Sequence, residues 1–368
     1  TKNGEYREQV KRLVTDYDNY ISLKLAGDDA YLSEKMVGYP AELDEVYAES
    51  FEEQKKEWFS CVGDGIQECR NTWEHKKWNI TDFTEFELAI TIDRPELYYD
   101  FLQKDWTRFC HDYWKNNFLE HHTLSKKRVT RIYIGNQFCH NLFPKKKLLF
   151  QVLEKALENN LAVTLAFSYI RNHLLEEIDE LLQELEVWCQ SREKEAGKEQ
   201  EEIIVNDWAM PILLQGKPHL KPVLGVLLNK RRKDVRLPYK HGIGNHVDSL
   251  AENNLNCGFY QDYLKNTFDI QRFEFESCGY KVTIPDGHHS LHLPFFQTNT
   301  SQYCTLYAVC RYGDREKQKL PENCPKYCEQ KVFLYPKHLK MVGRYNSLFG
   351  YDEKILWDEK QLQDYLEQ

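Results

Sequence analysis

Arg131-Ile132-Tyr133-Ile134-Gly135 and Leu161-Ala162-Val163-Thr164-Leu165-Ala166-Phe167 decide the fold class. Both are short apolar runs, and residues 146–158 between them read as a helix. Strand, helix and strand in this order form a βαβ unit. Near-continuous apolar strands belong to a parallel sheet covered by helices. The alternation extends in both directions. Residues 86–92 read as a strand, and Pro95 opens a helix that runs on through Trp106 and Phe109, since proline is tolerated in a first turn. Residues 174–189 read as a helix, 202–206 as a strand, 210–214 as a helix and 222–228 as a strand. Residues 273–275, 282–284 and 290–295 are further strand candidates. The expected class is α/β. The number of units favours a closed (β/α) TIM-like barrel over an open sheet.

Upstream of this pattern the texture is helical and polar. Val10, Leu13, Val14, Tyr17, Tyr20 and Ile21 recur at helical spacing until Gly27-Asp28-Asp29 breaks the run. Two more helices are expected at 42–58 and 66–78. The expected organisation is therefore a helical N-terminal extension (1–80), the barrel (84–350) and a C-terminal helix or tail (351–368).

The chain has 368 residues and a formal charge of −9, which disfavours unselective attachment to nucleic acid. No stretch approaches the ~20 apolar residues of a membrane span, and no leader pattern opens the chain, whose start at Thr1 reads as a trimmed end. The eleven cysteines are an odd number in a long, highly charged chain, so a disulfide scaffold is not expected. Reduced thiols in the cytoplasm fit better.

Some of those thiols read as ligands. Cys324 and Cys328 form a C-x3-C pair, with Cys304 and Cys310 a short way upstream. Cys139 stands alone just beyond the 131–135 strand. In a (β/α) barrel the C-terminal strand ends share one rim. Cys139 and Cys304 can therefore point into the same mouth, with Cys324 and Cys328 folded over it. Soft thiolates suit iron–sulfur clusters or zinc. Cys310 is an alternative to Cys304. Cys61 and Cys69 are too loosely spaced to join and read as plain thiols.

Several short motifs resemble the collagenase-like peptidase (U-thirty-two) family, closest to its iron–sulfur branch in oxygen-independent ubiquinone biosynthesis. Tyr133-Ile134-Gly135-Asn136-Gln137-Phe138-Cys139 resembles the family's Tyr-Leu-Gly-Glu-x-x-Cys element. Asn206-Asp207 resembles its (Asn or Ser)-Asp turn, Gly225 with Leu228-Asn229 its Gly-x-x-Leu-Asn strand, and His292-Leu293-Pro294 its His-Leu-Pro strand. Ser301-Gln302-Tyr303-Cys304 and the Cys324–Cys328 pair follow in the same order, over roughly residues 85–350. Asn136 departs from the pattern, where the family has Glu, and the spacing from Cys304 to Cys324 is longer. The resemblance implies a 4Fe–4S cluster on Cys139, Cys304, Cys324 and Cys328. It also implies a redox enzyme that hydroxylates a small aromatic molecule or nucleobase without molecular oxygen, sometimes with a protein partner bound through the barrel or the N-terminal region. Peptidase activity is not implied. A non-catalytic iron–sulfur or zinc-stabilised partner subunit is the alternative.

Asn206, Asp207, Asn229 and His292 are the candidate substrate pocket. Asn206 and Asp207 read equally as a turn or helix cap. His292 faces away from its neighbours Leu291 and Leu293 and reads as either a pocket residue or a core histidine. His288-His289 and Lys230-Arg231-Arg232-Lys233 read as solvent-exposed loops. Thr298 and Thr300 are candidate donors to cluster sulfurs. His241-Gly242-Ile243-Gly244-Asn245-His246 lacks the strand–helix context of a phosphate loop.

Overall fold

A computed structural model gives the architecture. It describes residue 4, residues 7–11, and residues 86–366 apart from 121, 197–199, 234–250, 315, 318, 322, 336–339, 353 and 357–358. The helices expected within 12–80, Cys61, Cys69 and the glycine-rich 241–246 stretch lie outside the described residues.

Five strands form a parallel sheet in sequential order: β1 (Leu88–Ile92), β2 (Val129–Gly135), β3 (Ala162–Ala166), β4 (Glu201–Val205) and β5 (Leu220–Leu224). Between them run α1 (Pro95–Gln103), α2 (Trp106–Asn116), α3 (Lys146–Glu158), α4 (Leu175–Ala196) and the short α5 (Met210–Leu213). The two-residue period of a strand sorts side chains onto two faces. Ile132, Ile134, Val163, Leu165, Ile203 and Val205 pack with Phe101, Leu149, Leu153 and Leu182 of the helices. Each such side chain contributes about 1.5–3 kcal/mol when fully buried. Tyr133, Ala166, Ile204 and Val223 gather on the opposite face.

That second face is concave and partly polar. Leu224 forms a parallel bridge to Phe273, and β6 (Glu274–Glu276) pairs in parallel with β7 (Ser290–His292). The strand order thus continues past β5. Tyr133 Oη on β2 donates to Glu274 Oε1 on β6 at 3.1 Å, and Arg272 reaches both Glu202 and Ser290. Side chains of β2 and β4 therefore meet those of the β6–β7 pair across this face. Among the described residues no ladder joins β7 to β1, so the expected closed barrel is not formed there. β7 is three residues long, and the chain leaves it at Leu293-Pro294, where proline has no N–H to extend a ladder.

The remainder is a second, antiparallel sheet in the order β8 (Phe295–Thr300), β11 (Ser347–Tyr351), β10 (Met341–Arg344), β9 (Phe333–Leu334). With α6 (Gly258–Phe268), α7 (Thr305–Tyr312) and α8 (Glu359–Leu366) it encloses a second core around Phe275, Phe296, Leu306, Val332 and Phe349.

Several boundaries differ from the sequence reading. The helix opened by Pro95 stops at Gln103, because Asp105 caps a new one by accepting from Arg108 N at 2.9 Å. Residues 282–284 form no strand, and 290–295 divide between two sheets. β5 ends at Leu224, and the next residue is glycine for a steric reason. A Cβ on Gly225 would stand 2.1 Å from Asn206 Oδ1. No described helix is long and apolar enough to cross a membrane.

Candidate metal centre and adjoining cavity

Cys139 sits just beyond the C-terminal end of β2. Gly135 ends that strand at φ +113°, and a Cβ there would meet Ala166 O at 2.5 Å and the Phe143 ring at 2.8 Å. Only glycine lets the chain turn so tightly against β3. Asn136 then shapes the loop. Its buried Oδ1 accepts from Phe138 N and Cys139 N, both at 2.9 Å, and so fixes where the thiol points.

Cys304 caps the N-terminus of α7. Its Sγ accepts from Tyr307 N at 3.3 Å, and the thiol donates to Tyr345 O at 3.1 Å. Cys328 is buried in a short 3-10 turn, Tyr327–Glu329, with Cys324 four residues before it. These four thiols share one electrostatic neighbourhood. Burial pushes the Cys139 thiol up to about 11, with Cys324 adding to the rise and Arg171 opposing it. Burial raises Cys304 to about 12, with Cys139 and Cys324 adding to it. Burial raises Cys328 further, and Cys139, Cys304 and Cys324 all contribute. The Cys324 thiol is likewise raised by burial. Cys310 differs. Burial also raises it, but Lys331 is the only charge that bears on it, and none of the other four sulfurs does. Electrostatic influence therefore links Cys139, Cys304, Cys324 and Cys328, and does not extend to Cys310. All nine described cysteines are free thiols. Among the described residues no group of three His, Cys, Asp or Glu side chains is drawn tightly enough to grip a metal ion.

The surroundings of the thiols carry a surplus of unmet polarity. Arg171 is 8% exposed, donates to Gln302 O, and forms no ion pair with a carboxylate among the described residues. Its Nε has no hydrogen-bond partner, and neither do His140 Nδ1, Glu329 Oε1 or Asn346 Oδ1. His140 and Glu329 adjoin Cys139 and Cys328 in the chain, and Arg171 and Asn346 bond the Gln302 and Ser301 carbonyls just ahead of Cys304. A buried guanidinium without an anion is costly. Four thiolates around a metal core supply such an anion, and a cation between them reverses the burial that otherwise keeps each sulfur protonated. The donor set therefore fits a thiolate-ligated metal group.

The other expected residues fall elsewhere. Asn206 ties strand ends together: Nδ2 donates to Phe167 O at 2.7 Å, and Oδ1 accepts from Leu227 N at 3.1 Å. Asp207 caps α5 through Ala209 N and Met210 N, and also holds Ile170 N. Asn229 donates to Glu274 O at 3.0 Å. For Asn206 and Asp207 the hydrogen bonds go mainly to the backbone, as the turn-or-cap reading of these two has it, while the buried Asn229 Oδ1 has no hydrogen-bond partner among the described residues. Thr298 and Thr300 bond to Leu348 O and Ser347 within the second sheet. Arg231 and Lys233 are not a solvated patch. Both are buried on Glu276, with Lys233 Nζ 2.6 Å from its carboxylate. His289 stacks on Phe273 at 4.8 Å, while His288 is exposed as expected.

His292 does face the concave interior. Its Nε2 bonds Glu274 Oε2 and lies 3.4 Å from Gln137 Nε2, and its ring meets Tyr133 edge-on at 5.5 Å. Burial pulls the imidazole down, but the charge and hydrogen bond of Glu274 outweigh it and leave the pKa raised. His292 also lines a cavity of about 170 Å3 together with Tyr133, Gln137, Phe138, Tyr345 and Phe349. Sequence reasoning missed Arg171, Tyr345 and Glu274. A charged residue in the loop after an apolar strand was the available signal for Arg171. Tyr345 sits in a sheet that left no clear pattern.

Compared with known proteins, the chain matches no family model, no curated protein and no solved structure.

Proposed function

We propose that this protein is a redox enzyme built around a 4Fe–4S cluster on Cys139, Cys304, Cys324 and Cys328, and that it hydroxylates a small aromatic molecule or nucleobase without molecular oxygen. The observation that supports the reading is that Cys139, Cys304, Cys324 and Cys328 influence one another electrostatically, beside a buried Arg171 to which the described residues offer no carboxylate. The motif resemblance, which points to the same four cysteines, is the ground for proposing kinship with the collagenase-like peptidase family. The curled seven-strand arrangement supports an open form of the (β/α) barrel, with β7 and β1 as its unpaired edges.

The cluster, when bound, would supply one-electron chemistry tuned by its hydrogen bonds. The chain's own residues do the rest. Tyr307 N–H points at the Cys304 sulfur from the start of α7, where the helix dipole favours negative charge. Arg171 offsets the charge of the thiolates, and Asn136 holds the Cys139 loop. Anaerobic isolation tests the reading. A brown protein whose broad blue-visible absorption bleaches with dithionite supports it, whereas a colourless protein carrying stoichiometric zinc refutes it.

A further inference from the structure

A group of tyrosines sits on the segments that carry the thiols. Cys328 is buried, whereas Cys304 and Cys324 are half-buried. Tyr307 lies in the first turn of α7, where its N–H meets the Cys304 sulfur at 3.3 Å. Its ring is 6.0 Å from that of Tyr312 and 6.4 Å from that of Tyr327. Tyr327 adjoins Cys328 in the chain, and Tyr303 adjoins Cys304. Tyr303 is 44% exposed and Tyr312 40%. Tyrosine is enriched in protein contact surfaces, because it offers a large, rigid area with a polar tip.

The charge of this segment is opposite to that of the chain. The chain carries −9, yet residues 301–331 hold six Lys and Arg against four Asp and Glu. Arg311 is exposed and shares a helix face with Tyr307, four residues before it. Lys326 acts on the Cys324 thiol. Cations gathered on one face of an acidic molecule steer an acidic partner to that face. A nucleic acid suits the face less well, because Asp314, Glu316 and Glu329 are interleaved with the cations and repel a phosphate backbone.

We propose that this face, Tyr303, Tyr307 and Tyr312 with Arg311 and Lys326, is the docking surface for a small acidic electron-carrier protein. The carrier's role rests on the redox reading above; the surface itself does not. One electron at a time passes between the carrier's own metal centre and the thiolate-bound group. What one loses the other gains, and no bond forms or breaks. Such an encounter is small, brief and sensitive to salt.

The experiment is equilibrium binding of an acidic plant-type ferredoxin to the anaerobically isolated full chain, with iron and sulfide measured on the same samples. A basic cytochrome c and a short oligouridylate are the comparison ligands, and sedimentation reads self-association. The ferredoxin is expected to bind at low salt and to bind at least about tenfold more weakly at roughly 0.3 M salt. Arg311→Glu is expected to weaken it about tenfold, and Tyr312→Ala about fivefold. Phe259→Ala, which removes an exposed aromatic ring from α6, is expected to leave it unchanged. If Arg311→Glu fails to fold, the salt dependence and the preference of the unaltered protein for ferredoxin over cytochrome c decide. No ferredoxin binding, equal binding of cytochrome c, or an affinity indifferent to Arg311→Glu overturns the proposal. So does oligouridylate binding that Arg311→Glu abolishes and ferredoxin does not compete with, or a dimer that Arg311→Glu dissolves, since a nucleic acid or a second copy then occupies the face. A protein free of iron that binds ferredoxin with the expected pattern upholds the surface and removes the redox reading. An iron-loaded protein that ignores ferredoxin does the reverse.

Discussion

Asn136→Ala isolates the residue that orients the first sulfur. Asn136 is 2% exposed, and its Oδ1 accepts two backbone N–H groups, from Phe138 and Cys139, at 2.9 Å each. Alanine leaves both donors without that acceptor. A buried donor left unsatisfied costs about 1–3 kcal/mol. Phe138 and Cys139 are only partly buried, so water can reach some of that surface and the low end applies. The loss is then about 2 kcal/mol, roughly a thirtyfold change in an equilibrium constant. Asn136→Asp keeps the acceptor but sets a buried carboxylate against Asp93 O, to which Nδ2 donated at 3.3 Å. A buried unpaired charge is costly, so this variant too should be less stable than the parent. The assay is urea unfolding of the three proteins, with metal content measured alongside. The alanine variant should unfold at lower urea with an unchanged slope and should lose metal faster to a chelator. If it matches the parent in both midpoint and metal retention, the turn does not position Cys139 and the reasoning fails.

Gly135→Ala should be destabilised by about 2–6 kcal/mol. Strained backbone at φ +113° contributes about 1–3 of this, and the contacts with Ala166 O and Phe143 contribute a similar amount; a variant within 1 kcal/mol of the parent by denaturant unfolding contradicts the geometry. Histidines should give pH effects of opposite sign. His122, lowered to about 4 chiefly by burial, contributes stability that is full above pH 6.5 and falls as pH drops toward 4, so His122→Gln should flatten the acid limb of unfolding free energy against pH. His292 is raised, so its contribution is full below its ordinary 6.5 and is lost as pH climbs through its folded value; His292→Gln should flatten the alkaline limb, and an unchanged limb refutes the Glu274 pairing. Cys310→Ala should retain all its metal, whereas Cys139→Ala and Cys328→Ala should lose theirs, as read by metal analysis after anaerobic purification.

The parallel sheet was legible because strands such as 132–134 and 163–165 are covered on both faces and so carry dense apolar residues. The second sheet was not. β9 and β10 are two and four residues long, and Gly343 and Gly350 interrupt their neighbourhood, so no two-residue period develops. The break at Lys104-Asp105 was hidden because the apolar spacing continues across it, while the cap that ends the run is a single aspartate. For the site, residue type and spacing offered five cysteines, Cys139, Cys304, Cys310, Cys324 and Cys328, and only the family resemblance chose four of them. Their partners are another matter. Arg171 reaches Gln302, Tyr345 reaches Asp93 and Glu274 reaches Tyr133, each across more than 130 residues, between elements whose own local patterns are silent about one another. Lys233 shows the same limit from the other side. A basic run reads as solvated until the fold supplies a buried Glu276 beneath it. Asn206 and Asp207 followed the common habit of their residue types at strand ends, which is to serve the backbone.

Iron and acid-labile sulfide per chain, measured on anaerobically isolated protein beside its Cys324→Ala variant, test the central claim most directly. A cubane on four thiolates predicts about four of each in the parent and near none in the variant. Iron retained in full by the Cys324 variant, or a parent holding zinc without sulfide, contradicts it.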